Sequence, residues 1–176
     1  MQANTSAPRI LIVEPNKSAL AVMARRVGEA GYRIIATDSA TAAVSELHRM
    51  PVDLVIAELR MAYSSGIELV RLIRDDCALK DTPVILITGR SDAGGAVEGF
   101  AVGADDVVAK PFHFEVLIAR IAQRLAKARS IRELRSDNAT LDARITTRAI
   151  ELGEMRAAFK ASEAERARLA AMVRDN

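Results

Sequence analysis

Four groups able to do chemistry stand at the ends of apolar runs. Glu14 follows RILIV (9–13), Glu58 follows DLVIA (53–57), Thr88 closes PVILIT (83–88) and Lys110 follows DDVVA (105–109). An acid at the end of an apolar run, followed by a loop and Gly66, is how an α/β protein presents a reactive carboxylate, so Glu58 is either a nucleophile or a fixed charge. Each group alone reads as ordinary strand-end surface. Two acids, a hydroxyl and an amine meeting at one edge of a sheet form a constellation. Other motifs are weaker. GRSDAGGAVEGF (89–100) is glycine-rich but has no Gly-Lys-Ser/Thr ending, and reads as a βα loop with a helix start. His48, His113 and Cys77 are scattered without metal-ligand spacing.

The elements that must position these groups follow from hydrophobic period. Five short runs (9–13, 33–37, 53–57, 83–88 and 105–109) are rich in β-branched residues and nearly all apolar, as strands buried on both faces should be. Between them, 17–30, 40–50, 66–79 and 92–102 carry apolar residues at helical spacing, with Gly31 and Gly103 as stops. Alternation of strand and helix with short links predicts an α/β fold, a parallel sheet with helices on both faces. Ligand chemistry then belongs at the carboxyl ends of the strands.

Composition narrows the class. The 176 residues are 50% hydrophobic with a formal net charge of +2, which predicts one core plus an appendage and no general affinity for polyanions. A lone cysteine, a polar opening (MQANTSAPR) and the absence of any run of about 18 apolar residues predict a cytoplasmic protein with no membrane partner.

Residues 9–126 resemble the receiver domain of two-component response regulators. The matching pieces are ILIVEPN, DLVIAELRM…SG, PVILITG and GADDVVAKPF, in the right order and spacing. The resemblance implies a flavodoxin-like (βα)5 doubly wound sheet with strand order 2-1-3-4-5. It also implies an aspartate that accepts a phosphoryl group, magnesium held by acids, a lysine and a hydroxyl that bind phosphoryl oxygens, and a cis Lys110–Pro111 bond.

The carry-over is incomplete. Glu14 matches the first corner acid, but Pro15 stands where the family places a metal-binding aspartate, and Glu58 occupies the phosphoacceptor's place. Thr88 and Lys110 match the switch hydroxyl and the lysine, Ala62 replaces a proline, and Val107 replaces the aromatic that reports the switch. Only Glu14 and Glu58 remain as a weak pair for magnesium, so no metal and no cofactor is expected. The extra methylene of Glu58 moves its oxygens by about 1 Å, which can cost about a hundredfold in a positioned reaction. Glu58 is thus either a permanent partial mimic of a phosphorylated state or a plain ion-pair partner of Lys110.

From about residue 113 the helical pattern never yields to a strand. A seam of alternating three- and four-residue steps runs through Ile131, Leu134, Asn138, Leu141, Ile145, Arg148, Leu152, Met155, Phe159, Ser162, Arg166, Leu169 and Val173, and nine of these thirteen are apolar. With Ile131 at position a, Asn138 is also at a, where asparagine favours a parallel pair in fixed register. A straight helix over 128–176 would reach about 70 Å, against about 35 Å for the domain itself. The chain therefore divides into a flexible tail (1–8), a receiver (9–127) and a helical extension (128–176) that either dimerises or turns back near RSDNAT (135–140). The extension also resembles the signalling linkers that follow receivers. Three functions follow: a dimeric module that docks on a signalling protein without phosphate, a conventional phosphoacceptor, or binding of nucleic acid or a phosphorylated small molecule through the basic helix 120–135, with Arg120, Arg124, Lys127, Arg129, Arg132 and Arg135. The last is disfavoured because these residues spread around the helix.

Overall fold

The computed structural model describes residues 6–61 and 65–174, without the side chains at 167 and 169–174. In chain order the elements are β1 (Arg9–Val13), α1 (Lys17–Glu29), β2 (Arg33–Thr37), α2 (Ala40–Arg49), β3 (Leu54–Glu58), α3 (Gly66–Asp75), β4 (Val84–Thr88), α4 (Ala93–Ala101), β5 (Asp106–Ala109) and α5 (Phe114–Arg174). All five strands pair in parallel in the order β2-β1-β3-β4-β5. The architecture is therefore the flavodoxin-like sheet expected, followed by a long helix.

Strand side chains alternate between two cores because successive residues face opposite sides of a sheet. Leu11, Val55, Ala57, Val84 and Leu86 meet α2 and α3 on one face, through residues such as Leu47, Leu69 and Ile73. Ile10, Ile12, Ile56, Ile85 and Ile87 meet α1 and α5 on the other, through Met23, Val27, Leu117 and Ile121. Each such large side chain, once buried, stabilises the fold by about 1.5–3 kcal/mol. The edge strand β2 departs from the two-sided burial expected, since Arg33 and Ala36 are exposed. With a neighbour on one side only, it is covered less than the central strands.

Side chains fix the helix starts. Asn16, Ser39, Ser65 and Asp92 cap α1 to α4, and Ser65 forms a capping box with Glu68. Gly31 and Gly103 take positive φ values of 92° and 99° as the chain leaves α1 and α4. Helix α3 ends at Asp75 instead of continuing to 79. Asp76 is extended and its Oδ1 accepts the Ala78 N–H at 2.7 Å, a local turn that competes with the helix.

At the amino end of the sheet Arg74 ties several connections together. Nε donates to Gly103 O (2.9 Å), Nη1 to Lys80 O (2.9 Å) and Thr82 O (2.8 Å), and Nη2 to Asp105 Oδ2 (2.8 Å).

The chain forms two compact units, Met1–Arg129 and Ser130–Asn176. In the first, the opening turns of α5 bury Leu117 and Ile121. In the second, every residue from 130 to 166 is exposed. Helix α5 is unbroken through 135–140, so the turn-back at RSDNAT is not formed.

Candidate functional site

The carboxyl ends of β1, β3, β4 and β5 bring Glu14, Glu58, Thr88 and Lys110 to one edge, as parallel strands in register must. Glu58 pairs with Ile87 and Thr88 with Ala109 in the ladders, and the Lys110 N–H donates to Thr88 O at 2.7 Å. Helix α3 starts hard against the strand that carries Glu58. A Cβ on Gly66 would lie 2.6 Å from Glu58 O and 2.9 Å from Leu86 Cδ2, so only glycine permits this approach. The Lys110–Pro111 bond is cis.

Lys110 Nζ is the centre of the site. It donates to Glu58 Oε2 at 2.5 Å and to Glu14 Oε2 at 2.9 Å. The other Glu14 oxygen accepts the Asn16 N–H at 3.0 Å, which fixes this carboxylate over the start of α1. The Glu14 and Glu58 side chains are only 5% and 12% exposed, and Lys110 is 38% exposed. Burial pushes the Glu58 carboxyl above the usual carboxylate range, Lys110 opposes that shift, and the neighbouring Glu14 adds to it. Burial alone would lower Lys110, yet its hydrogen bonds to Glu58 and Glu14 outweigh this and hold it above its ordinary value. The two upward shifts thus have different sources, burial first for Glu58 and the two carboxylate partners for Lys110.

Thr88 is 2% exposed, and its Oγ1 has no hydrogen-bond partner among the described residues. Val107, two residues into β5, packs half-buried against the same core face as Leu86. Arg60 reaches from the loop after β3 to the cap of α4, with Nε 2.7 Å from Asp92 Oδ2 and Nη2 3.1 Å from Oδ1. Pro15 follows Glu14 in the chain and offers no side-chain oxygen. Ala62 lies outside the described residues.

A magnesium ion, which the receiver resemblance implies, does not fit the residues present. Both carboxylates already hold Lys110 Nζ, and among the described residues no three His, Cys, Asp or Glu side chains group as a metal would need. His48, Cys77 and His113 do not join the site. His48 instead pairs with Asp76, and Cys77 is exposed.

One functional-looking cluster escaped the sequence reading. Asp106 is buried at the start of β5, and Arg120 Nη1 donates to both its oxygens at 2.9 Å while Arg124 Nη2 lies 3.3 Å away. An acid within an apolar strand demands a partner, and arginines four residues apart share a helix face. Those two signals together could have found it.

The comparisons with known proteins converge. The sequence matches the response regulator receiver domain family over residues 10–122. It is 36% identical over 129 residues to the transcriptional regulatory protein YvrH of Bacillus subtilis, covering 73% of this chain and 53% of that one. It is 33% identical to the two-component response regulator PhoP of Pseudomonas aeruginosa, covering 68% of this chain and 52% of that protein. The chain therefore spans about half the length of these relatives. Among solved structures, the signal receiver domain of an HD domain-containing protein from Pseudomonas fluorescens superposes with a TM-score of 0.69 at 25% identity, covering 76% of this chain and 97% of that one. The signal receiver domain of a histidine kinase from Syntrophus aciditrophicus does so with 0.65 at 30% identity, covering 69% and 92%. Family match, strand order and shared architecture agree, and the chain belongs to the response regulator receiver family of two-component signalling.

Proposed function

We propose that this receiver acts as a phosphorylation-independent interaction module, dimeric through 131–173, that docks on a protein partner in the cytoplasm and catalyses no reaction of its own. The observation that carries this reading is the contact of Lys110 Nζ with both Glu14 and Glu58, at 2.9 and 2.5 Å. The lysine and the acid in the phosphoacceptor's place neutralise each other, and Pro15 leaves no second corner carboxylate. Phosphoryl transfer depends almost wholly on positioning and on charge neutralisation at the incoming group. Here an ammonium already takes up the two carboxylates that a metal would need. Glu58 supplies one permanent negative charge where a phosphate would carry roughly −1.5 to −2.

The test is magnesium-dependent binding of beryllofluoride, followed by NMR or calorimetry because the chain has no tryptophan. We expect none in the wild type and none in Glu58→Asp, since correcting the acid alone leaves the corner at Pro15 empty of carboxylate. Pro15→Asp combined with Glu58→Asp should recover it. Tight magnesium-dependent binding by the wild type or by Glu58→Asp alone would favour the second reading, a conventional phosphoacceptor. Nucleic-acid binding through the basic stretch loses support from the clamp on Asp106, which engages Arg120 and Arg124.

A further inference from the structure

The helical extension carries its apolar seam in the open: Leu134, Ile145 and Phe159 are 64%, 66% and 64% exposed. Every described residue from 130 to 166 is exposed. Setting Ile131 at position a places the residues that flank the seam. Asp137, Arg144 and Glu151 stand at g, and Asp142, Ala149 and Arg156 stand at e. In a parallel pair each g residue faces the e residue five positions further along the partner. Glu151 then meets Arg156 of the second copy, twice by symmetry, on either side of the core made by Leu152 and Met155. Asp137 meets Asp142 of the second copy, also twice, around Asn138.

We infer that the occupant of this seam is a second copy of the chain in parallel register, and that the coil is built in two unequal blocks. A distal block around 149–160 is closed by the Glu151–Arg156 pairs, and a proximal block around 131–145, next to the receiver, is held weakly by like charges and a polar core residue. This rests on the dimer reading above and adds its division into blocks and its weak point. Arg148 at the d position between the blocks marks the seam's break. The proximal block is where a change in the receiver or a docking partner can open or close the dimer at least cost. The distal block keeps the two copies together meanwhile.

Charge reversal in the full chain tests this, with the dimer constant read by sedimentation. Asp137→Lys turns both like-charge pairs into Lys–Asp pairs and should tighten the dimer by about tenfold at low salt. The gain should vanish near 1 M salt, where the screening length falls to about 3 Å. Glu151→Lys should loosen the dimer, and adding Arg156→Glu should restore it. An antiparallel pair centred on 138–141 would set Asp137 against Arg144 of the second copy, so there Asp137→Lys loosens the dimer. Loosening or no change in a chain that still dimerises overturns the parallel two-block coil while leaving the dimer standing. A wild type that stays monomeric at about 100 μM, where a useful coil has closed, overturns both.

Discussion

The receiver unit and the helical extension both have apolar residues at regular intervals, and they meet opposite ends. In the receiver Ile10, Leu86 and Leu117 are wholly buried within the chain, whereas in the extension Leu134, Leu141 and Ile145 remain exposed. The difference is one of supply. A strand or helix in the first unit finds its partner surface a few dozen residues away, after a crossover has brought the chain back. The extension is one helix, and a single helix cannot cover its own stripe. Hydrophobic period therefore records what must be buried, and topology decides whether the cover comes from the same molecule.

The largest effect that could break this contrast is a matched pair of truncations. Leu86→Ala, in the receiver core, should cost about 3 kcal/mol by urea unfolding, through lost transfer energy and a residual cavity. Leu134→Ala should leave the receiver's unfolding free energy within about 0.5 kcal/mol and show its effect only in self-association. An equal loss from both would mean that the extension packs on its own receiver.

Next in size is the ion cluster. Lys110→Met leaves two acids without their ammonium. Breaking a fully buried pair costs about 3–5 kcal/mol, and with Lys110 38% exposed we expect about 2 kcal/mol after solvent screening. The sign with pH is fixed by the raised lysine. Its contribution is complete below its ordinary value of 10.5 and is lost as pH rises through the higher folded value, so the variant should lack that alkaline loss. The Glu58 carboxyl should also move further up, because Lys110 is the group that opposes its burial. A Glu58 titration unchanged in Lys110→Met, read by carboxyl NMR, would show that the two side chains do not share a proton economy in solution.

Most of this arrangement was legible in the sequence because parallel strands write themselves as plain apolar runs. The five strand positions and the convergence of Glu14, Glu58, Thr88 and Lys110 came from run ends alone, and the strand order came from the resemblance. What was not legible involved contacts between distant side chains. The Asp106 clamp joins an acid to arginines 14 and 18 residues further on, on a different element, and Arg120 and Arg124 read only as part of a basic stretch of helix. The end of α3 was misplaced because Asp76 turns the chain by accepting the Ala78 N–H, a bond that hydrophobic period does not register. The shared lysine was half visible: a Glu58–Lys110 pair was expected, and Glu14 as the second holder was not.

The smallest effect sits between the ends of α2 and α3. His48 Nδ1 is 2.9 Å from Val44 O and Nε2 is 3.0 Å from Asp76 Oδ2, and both of these oxygens only accept. Only the imidazolium can donate to both, and the hydrogen bond to Asp76 accordingly raises the His48 pKa. Asp76 is lowered, first by the Ala78 N–H and then by His48. The contribution of the pair is present below 6.5 for the histidine and above 3.8 for the aspartate, fading as pH rises through the raised value or falls through the lowered one. NMR titration should place His48 above 6.5 and return it toward that value in Asp76→Asn. A titration indifferent to that substitution would remove the contact from consideration.

Arg74 at the amino end of the sheet has a consequence for how this sequence can change. A guanidinium carries five donors in a fixed plane, and here three of its nitrogens address Gly103, Lys80, Thr82 and Asp105. A lysine offers its donors from one point and cannot span that fan, so no conservative intermediate lies between arginine and loss of the whole set. Drift at position 74 is therefore all-or-nothing, and the connections it gathers are bound to accept or refuse a replacement together.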